Sequence, residues 1–323
     1  MQKKTILPLA SAIAVLSMGI TAGAQAQVSC GDTITTPTTL DSDLVCTIAD
    51  EFSVALAIEG PSGRLSMGDY SLTCSTNEFG TGIILLGSGA RLTGGSVIGC
   101  GDAVTLSEDG SHFASDVYIT DFGDDGVYVE SNNNVVSFME IINDGSDSDE
   151  GIDIQGNNNL ISANYVEGAG DEGIEVAGDF NTVTANEVSF STFDGIEIDG
   201  DFAVVVNNTS AFNGGSGIEV DANNGTISTN TISFNDSGID LDQGDNNAIT
   251  NNSVTDNGTY GIFILDDGPT NNTITNNVSE GHTYDLFDAF DTDCTGSNTW
   301  QNNTFSTSDP ACLDKLSPWD QQA

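Results

Sequence analysis

Five carboxylates recur at almost fixed spacing: Asp153, Glu175, Glu197, Glu219 and Asp240. Each occupies the third place of a Gly–apolar–acid–apolar quartet, from Gly151-Ile152-Asp153-Ile154 to Gly238-Ile239-Asp240-Leu241, and successive quartets lie 22, 22, 22 and 21 residues apart. Period-two alternation puts the two apolar side chains on one side of a strand and the carboxylate on the other. Two residues further on, Asp199, Asp221 and Asp242 form a second acidic column on that same outward side. If the quartets stack as neighbouring strands, like charges come to about 4.8 Å of one another. Each adjacent pair then repels by roughly 0.9 kcal/mol even at the dielectric of water. Facing like charges destabilise a sheet. Such a double stripe predicts either bound cations or carboxyls with raised pKa. Calcium is the expected cofactor, because it accepts several oxygen ligands in loose geometry. A solvated, salt-screened face is the alternative.

The elements that must position these acids are short and repetitive. After each quartet comes a β-branched run ending in asparagine, typified by Asn181-Thr182-Val183-Thr184-Ala185-Asn186, and the closing residue recurs as Asn164, Asn186, Asn208, Asn230 and Asn252. A period near 22 residues with Gly and Asn turns describes a solenoid, in which one coil cannot bury its own apolar face but stacked coils share a core. There is no recurring leucine framework, so a leucine-rich repeat is set aside. Ile, Val and Thr in short runs suit coils of three parallel strands. The asparagines are expected to ladder from coil to coil in a turn. Several also match the glycosylation triplet and are read as turn chemistry. Phe190, Phe212 and Phe234, also 22 apart, are expected to stack inside.

With these motifs, residues from about 50 to 305 resemble the right-handed parallel β-helix repeats of the pectin-lyase-like superfamily, including NosD-like and carbohydrate-binding/sugar-hydrolase repeat proteins. The resemblance implies an all-β solenoid and carbohydrate recognition. The expected organisation is a signal peptide at 1–26, an N-terminal cap at 27–50, a β-helix at 51–305 and a C-terminal cap or tail at 306–323. About 10–11 rungs would make a rod roughly 50 Å long.

Residues 1–26 have a basic start (Lys3, Lys4), a short apolar run from Ile6 to Ile20 and Ala24-Gln25-Ala26 before Gln27, the pattern of a bacterial secretory signal. Pro8, Ser11, Ser17 and Gly19 interrupt the run, against a transmembrane span. Cys30 lacks the upstream leucine of a lipidated start. A secreted protein, extracellular or periplasmic, is expected. All six cysteines follow this segment and cluster as Cys30 with Cys46, Cys74 with Cys100, and Cys294 with Cys312, which favours local bridges tying down the solenoid ends. No CxxC pair and only two histidines speak against zinc.

The formal net charge is −44, and beyond Lys3 and Lys4 only Arg64, Arg91 and Lys315 oppose the 49 acidic residues. Such a surface repels nucleic acid and anionic membrane, so neither is an expected partner. It repels polyuronates too, unless cations bridge the two. Adaptation to salty water accounts for the same composition.

Catalysis has one motif to consider. Gly123-Asp124-Asp125-Gly126 is similar to the Gly-Asp-Asp of polygalacturonase-type hydrolases on this fold, which would make Asp124 and Asp125 an acid/base pair. The rest of that family's pattern, a Gly-His-Gly one rung later and an Arg-x-Lys beyond, is missing, and no Arg or Lys lies between Arg91 and Lys315. Gly170-Asp171-Glu172-Gly173 and Phe193-Asp194-Gly195 make the motif part of the repeat. Adjacent and alternate rungs supply the carboxyl separations of glycosidases, as any acidic solenoid would. The missing bases exclude a uronate lyase of the usual kind, and His112 and His282 are expected in surface or turn positions. Tyr128 and Phe263 take the outward position at either end of the acid column, with Tyr260 and Tyr284 in the adjacent turns, and are candidate sugar-stacking residues. The reading favoured is a secreted, calcium-assisted binder of extracellular polysaccharide or a cell surface. A carboxylate-pair glycoside hydrolase and a structural matrix or assembly protein are the alternatives.

Overall fold

A computed structural model describes residues 27–143, 148–265 and 268–313. The expected signal peptide lies outside the described residues, as do 144–147 of the acidic insertion and the tail from 314.

The described residues form a three-faced parallel solenoid. The first face is a sheet of thirteen strands, from Thr33–Ile34 through Ile152–Ile154, Ile174–Val176, Ile196–Ile198, Ser216–Val220 and Ser237–Leu241 to Ser308–Asp309. A second sheet of twenty-one strands carries the other two faces. One is typified by Leu160–Ser162 over Thr182–Thr184, the other by Tyr165–Glu167 over Glu187–Ser189. The long strands Arg64–Cys74 and Arg91–Ile98 run through both faces near the N-terminal end, with register shifts at the bend. There are about twelve turns, against the 10–11 expected. The difference lies at the ends, where Thr33–Ile34 and Ser308–Asp309 already pair in register although neither carries the quartet.

The core follows from the quartets. Ile152, Ile174, Ile196, Ile218, Ile239 and Ile262 stack at 0 % exposure, each directly over the next. The glycine ahead of each also faces inward. A Cβ on Gly173 would meet Val188 Cγ1 at 2.1 Å and the Gly195 carbonyl oxygen at 2.7 Å, so the repeat leaves no room for a side chain.

Corners between faces share one device, a left-handed residue followed by an inward polar one. At one corner Ala185, Asn207 and Thr229 have φ of 57°, 59° and 56°, and Asn186, Asn208 and Asn230 follow them. Asn208 Oδ1 accepts from the backbone N and Nδ2 of Asn186 at 2.9 and 3.0 Å, and Asn208 Nδ2 donates to the Val183 carbonyl at 2.9 Å and to Asn230 Oδ1 at 3.1 Å. The asparagine ladder read from the sequence is present, and two further corners carry ladders of their own, through Asn134, Asn159 and Asn181 and through Asn213, Asn235 and Asn257.

The same device corrects the expectation for the phenylalanines. Phe190, Phe212 and Phe234 do stack, at 5.4 and 5.0 Å between centroids, but on the outside, 50–55 % exposed. Each is the left-handed corner residue, with φ of 58–63°, whose side chain projects away from the core. The histidines hold turn positions, one of the two expected alternatives, but not surface ones. His112 and His282 are buried in the ladder columns. His112 Nδ1 accepts from Ala90 N at 3.2 Å while its own N donates to Asn134 Oδ1 at 2.8 Å. His282 Nε2 accepts from Asn257 Nδ2 at 3.1 Å. Burial holds both imidazoles below their ordinary pKa, in the neutral form.

Disulfides join Cys30 to Cys46, Cys74 to Cys100 and Cys294 to Cys312. All three lie toward the solenoid ends, where the repeat is least regular. No helix among the described residues is long and apolar enough to cross a membrane.

Candidate functional site

The first face carries the acids in register. Asp153 pairs with Glu175, Glu175 with Glu197, Glu197 with Glu219 and Glu219 with Asp240, while Tyr128 lies beside Asp153 at one end and Phe263 beside Asp240 at the other. The column points away from the apolar core but is less open than strand alternation implies. Asp153 and Asp240 are only 7 % and 9 % exposed, and Glu175, Glu197 and Glu219 are half-buried.

Flanking acids account for the crowding. Asp199, Asp221 and Asp242 follow the central column on the exit side. On the entrance side, Asp125, Glu150, Glu172 and Asp194 stand immediately before the repeated glycine. In the sequence this third column is the set of Asp-Gly and Glu-Gly pairs, a signal distinct from the quartets. Among the described residues, carboxylate oxygens gather to within 4.8 Å in four groups: Asp102, Asp124 and Asp125; Glu150, Asp171 and Glu172; Glu172, Asp194 and Glu197; and Glu219, Asp221 and Asp242. At Ser216 and Ser237 the entrance column loses its acids, so the last group draws on the central and exit columns alone.

No lysine or arginine of the described residues belongs to this face. Arg64 and Arg91 stack in register on the second sheet, with Arg91 over the Phe113 ring at 5.4 Å. Burial among like charges raises the carboxyl pKa values along the face. Burial, with the hydrogen bond and charge of Glu150, pushes Asp125 up to about 10. Burial and the charge of Asp194 push Glu219 up to about 9. Glu172, Glu175 and Asp240 rise to about 8 and Glu197 to about 7, again by burial and then neighbouring carboxylates. Burial and the charge of Glu150 raise Asp153 only to about 6, because Gln155 Nε2 donates to both its oxygens, at 2.9 and 3.2 Å, and favours the ionised form.

The aromatic end of the face differs from expectation. Phe263 is 4 % exposed, covered by the Tyr260 ring at 4.8 Å, and so offers no open surface for stacking. Tyr260 and Tyr284 are strand residues in register with each other, and Phe287 continues the Phe263 column. Tyr260, Tyr284 and Phe287 make the partly open cluster, with centroids 4.8–5.9 Å apart. Tyr128 stands alone at the opposite end, half-buried. Beside the exit column, an open cleft of about 560 Å³ is lined by Asn223, Asp242, Gln243, Asp245 and Thr270 among others.

This architecture can be set beside known proteins. Residues 172–314 match the family model described as right handed beta helix region. The chain is a right-handed parallel β-helix. Similar solved structures include the A-module of Azotobacter vinelandii mannuronan C-5 epimerase AlgE6, with 14 % identity over 80 % of this chain and 87 % of that one, at a TM-score of 0.52. A mutant of the periplasmic alginate epimerase AlgG has 14 % identity over 84 % of each chain, at 0.54. A mutant tailspike protein of E. coli bacteriophage HK620, in complex with pentasaccharide, has 12 % identity over 84 % of this β-helix and 60 % of that chain, at 0.65. These are pectin-lyase-like β-helices, and at such identities the likeness is one of fold. No curated protein is significantly similar in sequence.

Proposed function

We propose that this β-helix is a secreted, non-catalytic binder of extracellular polysaccharide whose acidic face works with calcium. The carrying observation is the register-aligned carboxylate column, crowded by two more acidic columns and, among the described residues, unopposed by any lysine or arginine of its own face. Ionised carboxylates only accept hydrogen bonds, so stacked rows of them need cations or protons from outside. Calcium suits an all-oxygen donor set of irregular geometry. Asp153, Glu175, Glu197, Glu219 and Asp240, with Asp199, Asp221 and Asp242, are the proposed metal ligands. Tyr260, Tyr284 and Phe287, at the end of the same face, offer a surface for sugar rings, and Tyr128 offers another at the opposite end. Carbohydrate handling on this fold is consistent with the mannuronan epimerase and with the tailspike in complex with pentasaccharide. Three disulfides suit an oxidising compartment, in keeping with export.

A hydrolytic reading has one observation of its own. Asp125, 7 % exposed and held protonated near neutral pH, adjoins Asp124 and Asp102, the pairing that general-acid chemistry uses. The deciding experiment incubates a panel of neutral and acidic polysaccharides with the protein, in calcium and in chelator, and measures chain length and retention. Calcium-dependent retention without shortening supports the binder. Shortening of any polymer overturns it in favour of the hydrolase. Neither result on any polymer favours a structural protein.

A further inference from the structure

Along the acidic face, the group formed by Glu219, Asp221 and Asp242 stands apart from the other three. Its carboxylate oxygens lie within 4.8 Å of one another, and Gln243 Nε2 donates to Asp221 Oδ2 at 3.3 Å from the rim of the adjoining cleft. Behind it sits Asp240, only 9 % exposed and paired in register with Glu219. Asp240 Oδ1 is buried without a hydrogen-bond partner, and so is Asp221 Oδ1. These are two of only three such side-chain atoms among the described residues, and the third is the hydroxyl of Ser191. A buried carboxylate oxygen without a donor is costly. Of the three carboxylates whose fields act on Asp240, two, Asp242 and Asp221, belong to this group, and the third is Asp194.

The groups toward the N-terminal end answer their charge differently. Asp194 accepts from Ser216 N, Asp125 Oδ1 accepts from Glu150 N at 3.3 Å, and Asp153 takes two hydrogen bonds from Gln155. Around Asp221 and Asp240 the protein supplies no comparable donors to the two orphaned oxygens. A cation would satisfy both.

We propose that Glu219, Asp221 and Asp242, backed by Asp240, form a single divalent-cation site of the calcium class, open toward the cleft lined by Asn223, Gln243 and Thr270. The donors are all hard oxygens, with no nitrogen or sulfur, which selects calcium over zinc or copper. The inference deepens the calcium-assisted reading of the acidic face and rests on it, but reduces eight candidate ligands to one locus.

The test is titration of calcium chloride into chelator-treated protein by isothermal calorimetry, with thermal unfolding in parallel. The variants are Asp221→Asn, Asp242→Asn and Asp240→Asn, with Glu187→Gln, on the second sheet, as the control. The expected result is one saturable site whose affinity falls at least about 10-fold in each Asn variant and is unchanged in Glu187→Gln. Because Asp221→Asn and Asp242→Asn remove charge from a crowded face, they should unfold at a higher temperature than the parent in chelator and lose the calcium-dependent rise. That readout separates a lost site from a misfolded variant. Binding equal in all four variants, or no binding, overturns the site. If calcium-dependent retention on a polysaccharide persists in all the Asn variants, the site fails while the binder reading stands. If the site is found and no polymer is retained, the site stands and the binder reading fails.

Discussion

Two sets of polar columns run along this β-helix, and they solve the same stacking problem in opposite ways. In the corner ladder, an asparagine such as Asn208 offers an acceptor to the preceding turn and two donors elsewhere, all used within 3.1 Å. A neutral amide carries both donors and acceptors, so a ladder of identical residues completes itself and can be buried. On the first face, a carboxylate such as Asp240 carries acceptors only, and its Oδ1 remains without a partner. Repetition that closes the amide column leaves the acid column open. A column of asparagines is therefore a sufficient structural device, whereas a column of acids is a demand on the surroundings.

The largest test of this contrast exchanges one chemistry for the other. Asn208→Asp would put a carboxylate where the Val183 carbonyl needs a donor, and should destabilise the fold by about 3–5 kcal/mol, as an unpaired buried charge does. Chemical denaturation measures it, and a shift smaller than 1 kcal/mol would show that the ladder is not what holds the corner.

Next in size is the response to pH in chelator. The face carboxyls have folded pKa values above their unfolded ones, so the native state holds more protons and unfolding releases them. Their contribution is complete below the unfolded values of 3.8 and 4.5 and is lost as pH rises through about 7 for Glu197, 8 for Asp240, Glu172 and Glu175, 9 for Glu219 and 10 for Asp125. The two histidines, lowered from 6.5, act in the opposite sense only below that value. The unfolding temperature should therefore fall steadily from pH 6.5 to 10. Saturating calcium should flatten the fall, and an equal slope with and without the metal would argue against cation binding on this face.

A smaller effect is expected from Asp240→Asn. Without metal and above pH 8, where Asp240 is ionised, it should raise stability by about 1 kcal/mol, the order of one relieved like-charge contact. A loss of stability in chelator would mean that the carboxylate has an internal partner after all.

The smallest concerns the outer phenylalanine stack. Phe212→Ser removes an exposed ring flanked by two others and should cost about 1 kcal/mol or less. A cost comparable to that of a core residue would show that the stack braces the corner.

Much of this molecule was legible in the residues. The quartets from Gly151 to Leu241 determine stacking, because only a coil with two inward apolar side chains and a glycine too confined for a Cβ fits above its copy. The spacing of Asn186, Asn208 and Asn230 announced a ladder for the same reason, and the local clustering of six cysteines announced three bridges. The central and exit acid columns were read directly from period-two alternation.

What alternation could not supply was direction at the corners and depth on the face. A left-handed φ at Phe190, Phe212 and Phe234 turns each ring outward, although 22-residue spacing alone fits an inward stack equally well. Phe263 has the outward strand position, yet Tyr260, three residues earlier, folds over it. Asp153 and Asp240 have the same strand position as Glu197, yet they are buried, because burial depends on which neighbours flank a column. The sequence by itself therefore determined the repeat, its register and its charge, which are properties of one turn copied many times. Only the tertiary structure decided which copies are enclosed and which oxygens lack a donor, since those depend on contacts between turns that no single repeat contains.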